Sequence, residues 1–269
     1  MTTPLNQTPL TPMDIALERV HAWTLLTQPT LAVLDLSELR LTSLPPLPDT
    51  LVYLNCSQNQ LTSLPILPST LTHLYCDNNH LSVLPTRLPT TLLKLYCSNN
   101  NLTVLPPLPP TLTKLNCNNN RLTVMPPFPA ALRSLTCSNN HLTALPCFSD
   151  TLHYVSCGNN CLSIIPSLPA SLLYINCSNN QLTMLPSFPP ALTQLFCSIN
   201  CLTSLPPLPA TLLYLDCCNN QLTSLPVHPS TSLYMCCHTN MFPDRAYGEQ
   251  SSAFQERVYA WEQKKGELG

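Results

Sequence analysis

Charge is scarce in this chain of 269 residues: only 9% are Asp, Glu, Lys or Arg, and the formal net charge is −2. With a pI near 6.3 there is no basic footprint to attract a nucleic-acid backbone or an anionic membrane, so neither is expected as a partner. No apolar run approaches the ~18 residues of a membrane span, which excludes a transmembrane helix from the reading. Residues 1–20 lack the charged start and apolar stretch of a secretory signal, so any export has to use another route. Acids are sparse and form no pair facing a pocket, which argues against acid–base hydrolysis. No cofactor is expected, and the chain reads as a non-enzyme.

What is present is Leu, Pro and small polar residues. Hydrophobic residues make up 44% of the chain, ample for a buried core, while Ser, Thr, Asn and Gln between the leucines keep the surface wetted. Alignment of the chain on itself gives a period of 20, with repeats beginning at Thr30, Thr50, Thr70, Thr91, Thr111, Ala131, Thr151, Ser171, Ala191 and Thr211 and a partial one at Thr231. The repeat from Thr70 has 21 residues; its extra residue falls in Pro85-Thr86-Arg87-Leu88-Pro89 and is expected in a loop.

The unit beginning at Thr50 shows what each position does. Leu54 and Cys56 alternate with Tyr53, Asn55 and Ser57, the period-two mark of a short strand with the first pair inward. Leu51, Leu61, Leu64 and Leu67 complete the inward set, which no single unit can bury without neighbours, so stability has to come from stacking. Asn59 recurs in every later unit through Asn240 where the chain turns out of the strand; its amide can satisfy backbone groups of its own and adjacent turns. Leu64-Pro65-Ile66-Leu67-Pro68 and its equivalents carry most of the 30 prolines, which forbid an α-helix and leave extended, polyproline-like backbone at ~3.1 Å per residue.

Ten of the 15 cysteines recur once per repeat, as Cys56 does, and make a core ladder. Neighbouring inward side chains on in-register strands stand ~4.7–4.9 Å apart, wider than the ~3.8 Å between Cβ atoms that a disulfide prefers. A reduced ladder and a reducing environment are expected.

These units, LPxLPxxLxxLxCxxNxLxx read cyclically, resemble the short leucine-rich repeats of bacterial type III secreted effectors of the YopM/IpaH-like group. The resemblance covers roughly residues 30–240 and includes Leu34-Asp35-Leu36-Ser37, similar to the LDLS opening of that group. One departure is consistent: Cys stands where Val or Ala is commoner. The resemblance implies a leucine-rich-repeat horseshoe, a repeat solenoid with a parallel β-sheet on the concave face and an extended polyproline-like convex side. It also implies delivery into a host cytoplasm without a cleavable signal, and binding of a host protein. Many relatives continue into a ubiquitin ligase domain with a Cys-x-Asp nucleophile motif; no Cys here is followed by Asp two positions on, so ligase activity is not carried over. The alternatives are the substrate-recognition part of a truncated ligase of that kind, or an internal scaffold of the bacterial cytoplasm.

A solenoid exposes apolar end faces unless capped. Residues 1–12 are expected to be an unstructured leader, and residues 13–29 an N-terminal cap with a helix over 13–27. Met13, Ala16, Leu17, Val20 and Trp23 form its stripe, with Trp23 as anchor. The repeats occupy residues 30–240 and a tail follows over 241–269. In that tail Phe254, Val258 and Trp261 mark one face of a second capping helix, docking after Phe242 and Pro243.

Outward strand positions form two columns, and seven of the nine tyrosines fall in them. Two candidate partner-binding patches follow: Tyr53, His73, Tyr75, Lys94, Tyr96 and Lys114; and Tyr154, Tyr174, Phe196, Tyr214 and Tyr234. The alternative is that stacked rings merely stabilise an exposed sheet. The expected partner is a host or bacterial protein, and the oligomeric state stays open. Asp216, Cys218, Cys236 and His238 sit on adjacent strands and are zinc-ligand types, but their flat spacing is wide for tetrahedral closure; no metal site is assigned. Cys161 and Cys201 read as surface cysteines in the same way.

Overall fold

The computed structural model describes residues 10–26, 33–227, 233–242 and 251–266. Residues 1–9 of the expected leader over 1–12, the start of the first repeat at Thr30 and the docking residue Pro243 lie outside them, while Thr11 and Pro12 of that leader open α1. The described elements are a helix α1 (Pro12–Thr24), eleven strands and a closing helix α2 (Ser251–Gly266). The strands are β1 (Val33–Asp35), β2 (Tyr53–Asn55), β3 (His73–Tyr75), β4 (Lys94–Tyr96), β5 (Lys114–Asn116) and β6 (Ser134–Thr136). They continue with β7 (Tyr154–Ser156), β8 (Tyr174–Asn176), β9 (Gln194–Phe196), β10 (Tyr214–Asp216) and β11 (Tyr234–Cys236).

All eleven form one parallel sheet in sequence order, each strand pairing with the next. Pairing keeps equivalent repeat positions opposite one another, as in Tyr53↔His73 and Asn55↔Tyr75. The 21-residue repeat leaves this register intact, with Tyr75 opposite Tyr96, so the extra residue is taken up in the proline loop. Each unit buries one set of side chains: Leu51, Leu54, Cys56 and Leu61 are fully enclosed and Leu67 nearly so, with Leu64 half-buried. Each fully buried Leu stabilises by ~1.5–3 kcal/mol, a gain available only when a neighbouring coil covers it.

The asparagines hold the turns. Asn59 Nδ2 donates to the carbonyls of Leu36 (2.8 Å), Cys56 (3.0 Å) and Ser57 (3.2 Å), and its Oδ1 accepts from the amides of Leu39 (3.1 Å) and Leu41 (2.9 Å). Later units repeat the pattern: Asn140 serves Cys117 and Leu122 of the preceding coil and Cys137 and Ser138 of its own. The residue before each ladder Asn is left-handed, with φ of 53–57° at Gln58, Asn78, Asn99, Asn119, Asn139, Asn159, Asn179, Asn219 and Thr239. Asn tolerates that region because its short polar side chain bonds locally. Ile199 occupies it too, at φ 54°, where a β-branched side chain is strained.

On the return side, the amide of the leucine that opens each strand unit donates back across a tight turn, as Leu71 does to Pro68 O (3.1 Å) and Leu92 to Pro89 O (3.0 Å). The unit-opening hydroxyl forms a second ladder: Thr70 Oγ1 donates to Asp49 O and Leu51 O, and Thr111, Thr151, Ser171 and Thr211 do the same one coil on. The prolines pre-set extended backbone, so these few bonds suffice to close each coil.

The ladder cysteines are all buried, and those from Cys56 to Cys217 are in no disulfide. Several donate their thiol to the next strand's carbonyl, as Cys56 does to Tyr75 O (3.3 Å) and Cys97 to Asn116 O (3.4 Å). Burial pushes the thiols of Cys56, Cys137 and Cys177 up to about 12 from an ordinary 9.0.

Both ends are capped by helices. Thr11 and Asp14 form a reciprocal capping box at the start of α1, with Pro12 in its first turn. Ala16 and Trp23 are buried against the first coil, and Arg19 donates to Asp35 O of β1 (2.9 Å). Two expectations need correction. The helix stops at Thr24 rather than residue 27, because the Leu25 and Leu26 amides fold back onto Ala22 O and Trp23 O. Leu17 is 46% exposed: the seam against β1 is narrow, and Arg19 rather than Leu17 covers its edge. In α2, Phe254 and Val258 are buried, and the Phe254 ring meets Phe242 edge-on at 6.1 Å.

Three measurements check this account of the coil. Asn140→Ala strands the amide of Leu122 and takes one of two asparagine donors from the carbonyls of Cys117 and Cys137, which keep Asn120 and Asn160, and is expected to cost about 2 kcal/mol in urea unfolding. Ile199→Asn is expected to stabilise by about 1 kcal/mol by relieving the left-handed strain. Thiols raised in the folded state keep their protons while the unfolded chain loses its own, so their contribution is complete below about pH 9 and is lost as pH rises toward 12. The urea midpoint should therefore fall from pH 9 to about 11, with a shallower slope in the C117A/C137A/C157A variant.

Candidate functional site

The first and third residues of each strand project from the concave side, so each repeat contributes two surface positions in fixed register. Side chains at equivalent positions stack along the solenoid at roughly the ~4.7–4.9 Å interstrand spacing. That spacing suits aromatic rings laid face to face.

Two groups of rings result. In the first, Tyr53 stacks on His73 (centroids 4.2 Å apart, planes 24° apart) and Tyr75 on Tyr96 (4.9 Å, 14°). Lys94 and Lys114 stand beside these pairs in the first column, opposite one another on β4 and β5. In the second, Tyr154 stacks on Tyr174 (4.2 Å, 6°), which leans on Phe196 (5.5 Å, 41°), and Tyr214 meets Tyr234 at 6.0 Å and 50°. Tyr154, Tyr214 and Tyr234 are exposed, the last at 65%, while Tyr174 and Phe196 are half-buried. Burial raises the Tyr174 phenol to about 12, with the Tyr154 hydroxyl adding in the same direction. Between the groups lie Asn116, Ser134, Thr136 and Ser156, with no ring.

His73 departs from the expected exposed surface: it is only 7% accessible. The Tyr53 ring covers one face, and its Nδ1 pairs with Thr72 Oγ1 at 2.8 Å. Desolvation, reinforced by Lys94, lowers its pKa below the ordinary 6.5, so it is an uncharged member of the stack. The surface of that patch is therefore formed by the tyrosines and lysines.

The four-residue zinc-ligand square also changes. Asp216, Cys218 and Cys236 place their ligand atoms within 4.8 Å of one another, but His238 is exposed and outside the group. The reason is geometric: Cys218 leans diagonally toward the preceding column on β11, not straight across to His238. Cys161 is half-buried and Cys201 exposed, two repeats apart. A cavity of about 470 Å³ lies between α1 and β1, lined by Arg19, Trp23, Leu34 and Asp35, and shares no residue with the aromatic groups.

A parallel sheet in strict sequence order, a 20-residue coil and an asparagine ladder define the class: this is a leucine-rich-repeat protein, with the architecture of a protein-binding scaffold. Its repeats are of the short kind carried by YopM and related bacterial proteins. No protein-family model matches the chain, and no curated protein matches its sequence. Among solved structures it is similar to YopM from Yersinia enterocolitica WA-314, with 34% identity over 88% of this chain and a TM-score of 0.74. The chain spans 57% of the length of that structure. A YopM from Yersinia pestis, described as a leucine-rich effector protein, is 26% identical over 92% of this chain and 94% of its own, with a TM-score of 0.49. The functional domain of InlJ from Listeria monocytogenes, which includes a cysteine ladder, is 28% identical over 72% of this chain and 47% of its own, with a TM-score of 0.57. Among the described residues no helix is long and apolar enough to cross a membrane.

Proposed function

We propose that this chain is a bacterial effector that reaches a host cytoplasm by a signal-peptide-independent route and binds a host protein through its concave face. The observation that carries the binding reading is the pair of aromatic groups on that face. Tyr154, Tyr214 and Tyr234 leave large ring surfaces in water although the sheet beneath them is already held by Leu and Asn ladders. Tyrosine offers broad, fairly rigid contact area and a hydroxyl, and contiguous exposed rings of this kind mark interaction surfaces. The effector reading is supported by the likeness to YopM at 34% identity, together with repeats of the same short kind. The role is that of an adaptor without catalysis: the concave face presents rings, amides and hydroxyls, and its few acids and bases are not opposed across a cleft.

The second group, five rings spread over five strands, is the larger and the more exposed of the two and is taken as the principal contact. Lys94 and Lys114 beside Tyr96 fit an acidic segment of the same partner at the other group.

Replacing Tyr154, Tyr174 and Tyr214 with Ala removes stacking but no core contact, so the thermal transition is expected to stay within a few degrees of the parent. Affinity capture from host-cell lysate under reducing conditions should then lose at least one specific protein that the parent chain retains. Capture unchanged by the triple variant would remove the second group from the binding face, and no capture by either form would contradict the effector reading.

A further inference from the structure

We infer that Cys218 and Cys236 are a redox-active pair that closes into a reversible disulfide and staples the last two strands of the sheet. Their sulfurs lie 2.7 Å apart. Nonbonded carbon atoms rest ~3.5–4.0 Å apart and sulfur is larger, so the two thiols are already inside ordinary contact.

The approach belongs to the fold and not to one pair of side-chain rotamers. Cys218 follows β10 by two residues and Cys236 is the third residue of β11, a diagonal that recurs along the solenoid. Three repeats before Cys218, the equivalent diagonal joins Gly158 and Asn176, where a Cβ added to Gly158 would lie 3.3 Å from Asn176 Oδ1. One diagonal earlier again, Ser138 Oγ and Ser156 Oγ meet at 2.9 Å. Short side chains on this diagonal can therefore meet, and Cys218 with Cys236 is the one such pair in which both are thiols.

The ladder cysteines differ in kind. They stand straight across from one another, are fully buried, and direct their thiols to backbone carbonyls, as Cys76 does to Tyr96 O. Cys236 is half-exposed and so open to a small oxidant, while Cys218 is buried behind it. A zinc ion held by both sulfurs at ~2.3 Å in tetrahedral geometry would keep them close to ~3.8 Å apart, so the observed approach favours a sulfur–sulfur bond over a shared metal.

The chemistry balances with a small-molecule disulfide such as oxidised glutathione as oxidant. The Cys236 thiolate attacks one sulfur of that disulfide, breaking its S–S bond, releasing one small thiol and leaving a mixed disulfide on Cys236. The Cys236 proton leaves with the first small thiol, and the Cys218 proton passes to the second small thiolate as that sulfur is expelled. The Cys218 sulfur attacks Cys236 and expels the second small thiol, so two protein thiols are oxidised and one disulfide is reduced to two thiols. Cys236 is the sulfur that a small disulfide in solution can reach, which makes it the attacking sulfur and the buried Cys218 the resolving one. The bond would fix β10 to β11, the strands that carry Tyr214 and Tyr234.

The test uses the full folded chain, fully reduced, then titrated anaerobically with oxidised glutathione, quenched by alkylation and mapped by mass spectrometry without reduction. A Cys218–Cys236 bridge, two hydrogens lighter, should form on the order of tenfold faster than any other pairing, and dithiothreitol should reverse it. In Cys236→Ser no bridge should form; in Cys218→Ser, Cys236 should hold a stable glutathione adduct because the resolving sulfur is gone. The inference is overturned if Cys218 and Cys236 stay reduced while Cys147, Cys161 or Cys201 react. It is overturned equally if zinc, removable by a chelator, protects both thiols in the purified chain and no bridge forms once it is stripped.

Discussion

Every part of this structure depends on how the backbone is satisfied where the chain leaves the sheet. A three-residue strand supplies few hydrogen bonds of its own, and the turn after it points amides and carbonyls into an apolar interior. Asn59 and its successors answer those groups in two coils at once, so each side chain is also a bond between repeats. A buried polar group left unpaired costs ~1–3 kcal/mol, so ten such positions decide whether the coils can stack at all. The leucines supply the driving force, and the asparagines make it possible to bury them.

Stacking in register has a consequence on the outer side of the sheet. Because neighbouring units differ by one repeat and nothing else, a residue type repeated in sequence becomes a column in space. Tyrosines at one position in successive units turn into ring stacks, cysteines at the inward position become a buried ladder, and a displaced cysteine pair becomes a diagonal contact. The scaffold holds these columns without help from a ligand, so a partner meets a face that is already ordered. Less freedom is lost on binding than a flexible surface would lose.

The repeat made much of this legible from sequence. Register, inward leucines, the asparagine ladder and the proline return each follow from one residue recurring every 20 positions, and one unit explains all the others. What was not legible depends on contacts outside that period. His73 belongs to an outward column, yet Tyr53 and Thr72 enclose it, which depends on ring packing and not on position. The left-handed residue before each ladder Asn is visible in the recurring Asn-Asn pairs only once the turn geometry is known, and Ile199 breaks even that signal. The Cys218–Cys236 contact runs diagonally, so aligning columns straight across pointed to His238. At the ends the period gives no guidance, which is why the extent of α1 and the exposure of Leu17 had to come from its packing on β1.

The most direct test of the central claim is native-state hydrogen exchange at the amides that the asparagine side chains accept from, Leu102, Leu122, Leu142 and Leu162. If those bonds hold the coils together, these turn amides should exchange as slowly as the strand amides of the same repeats, and only through opening of several coils together. Fast exchange at the four leucines, with the strands still protected, would contradict it: the turns would then be opening locally, and the sheet and leucine core alone would be holding the solenoid.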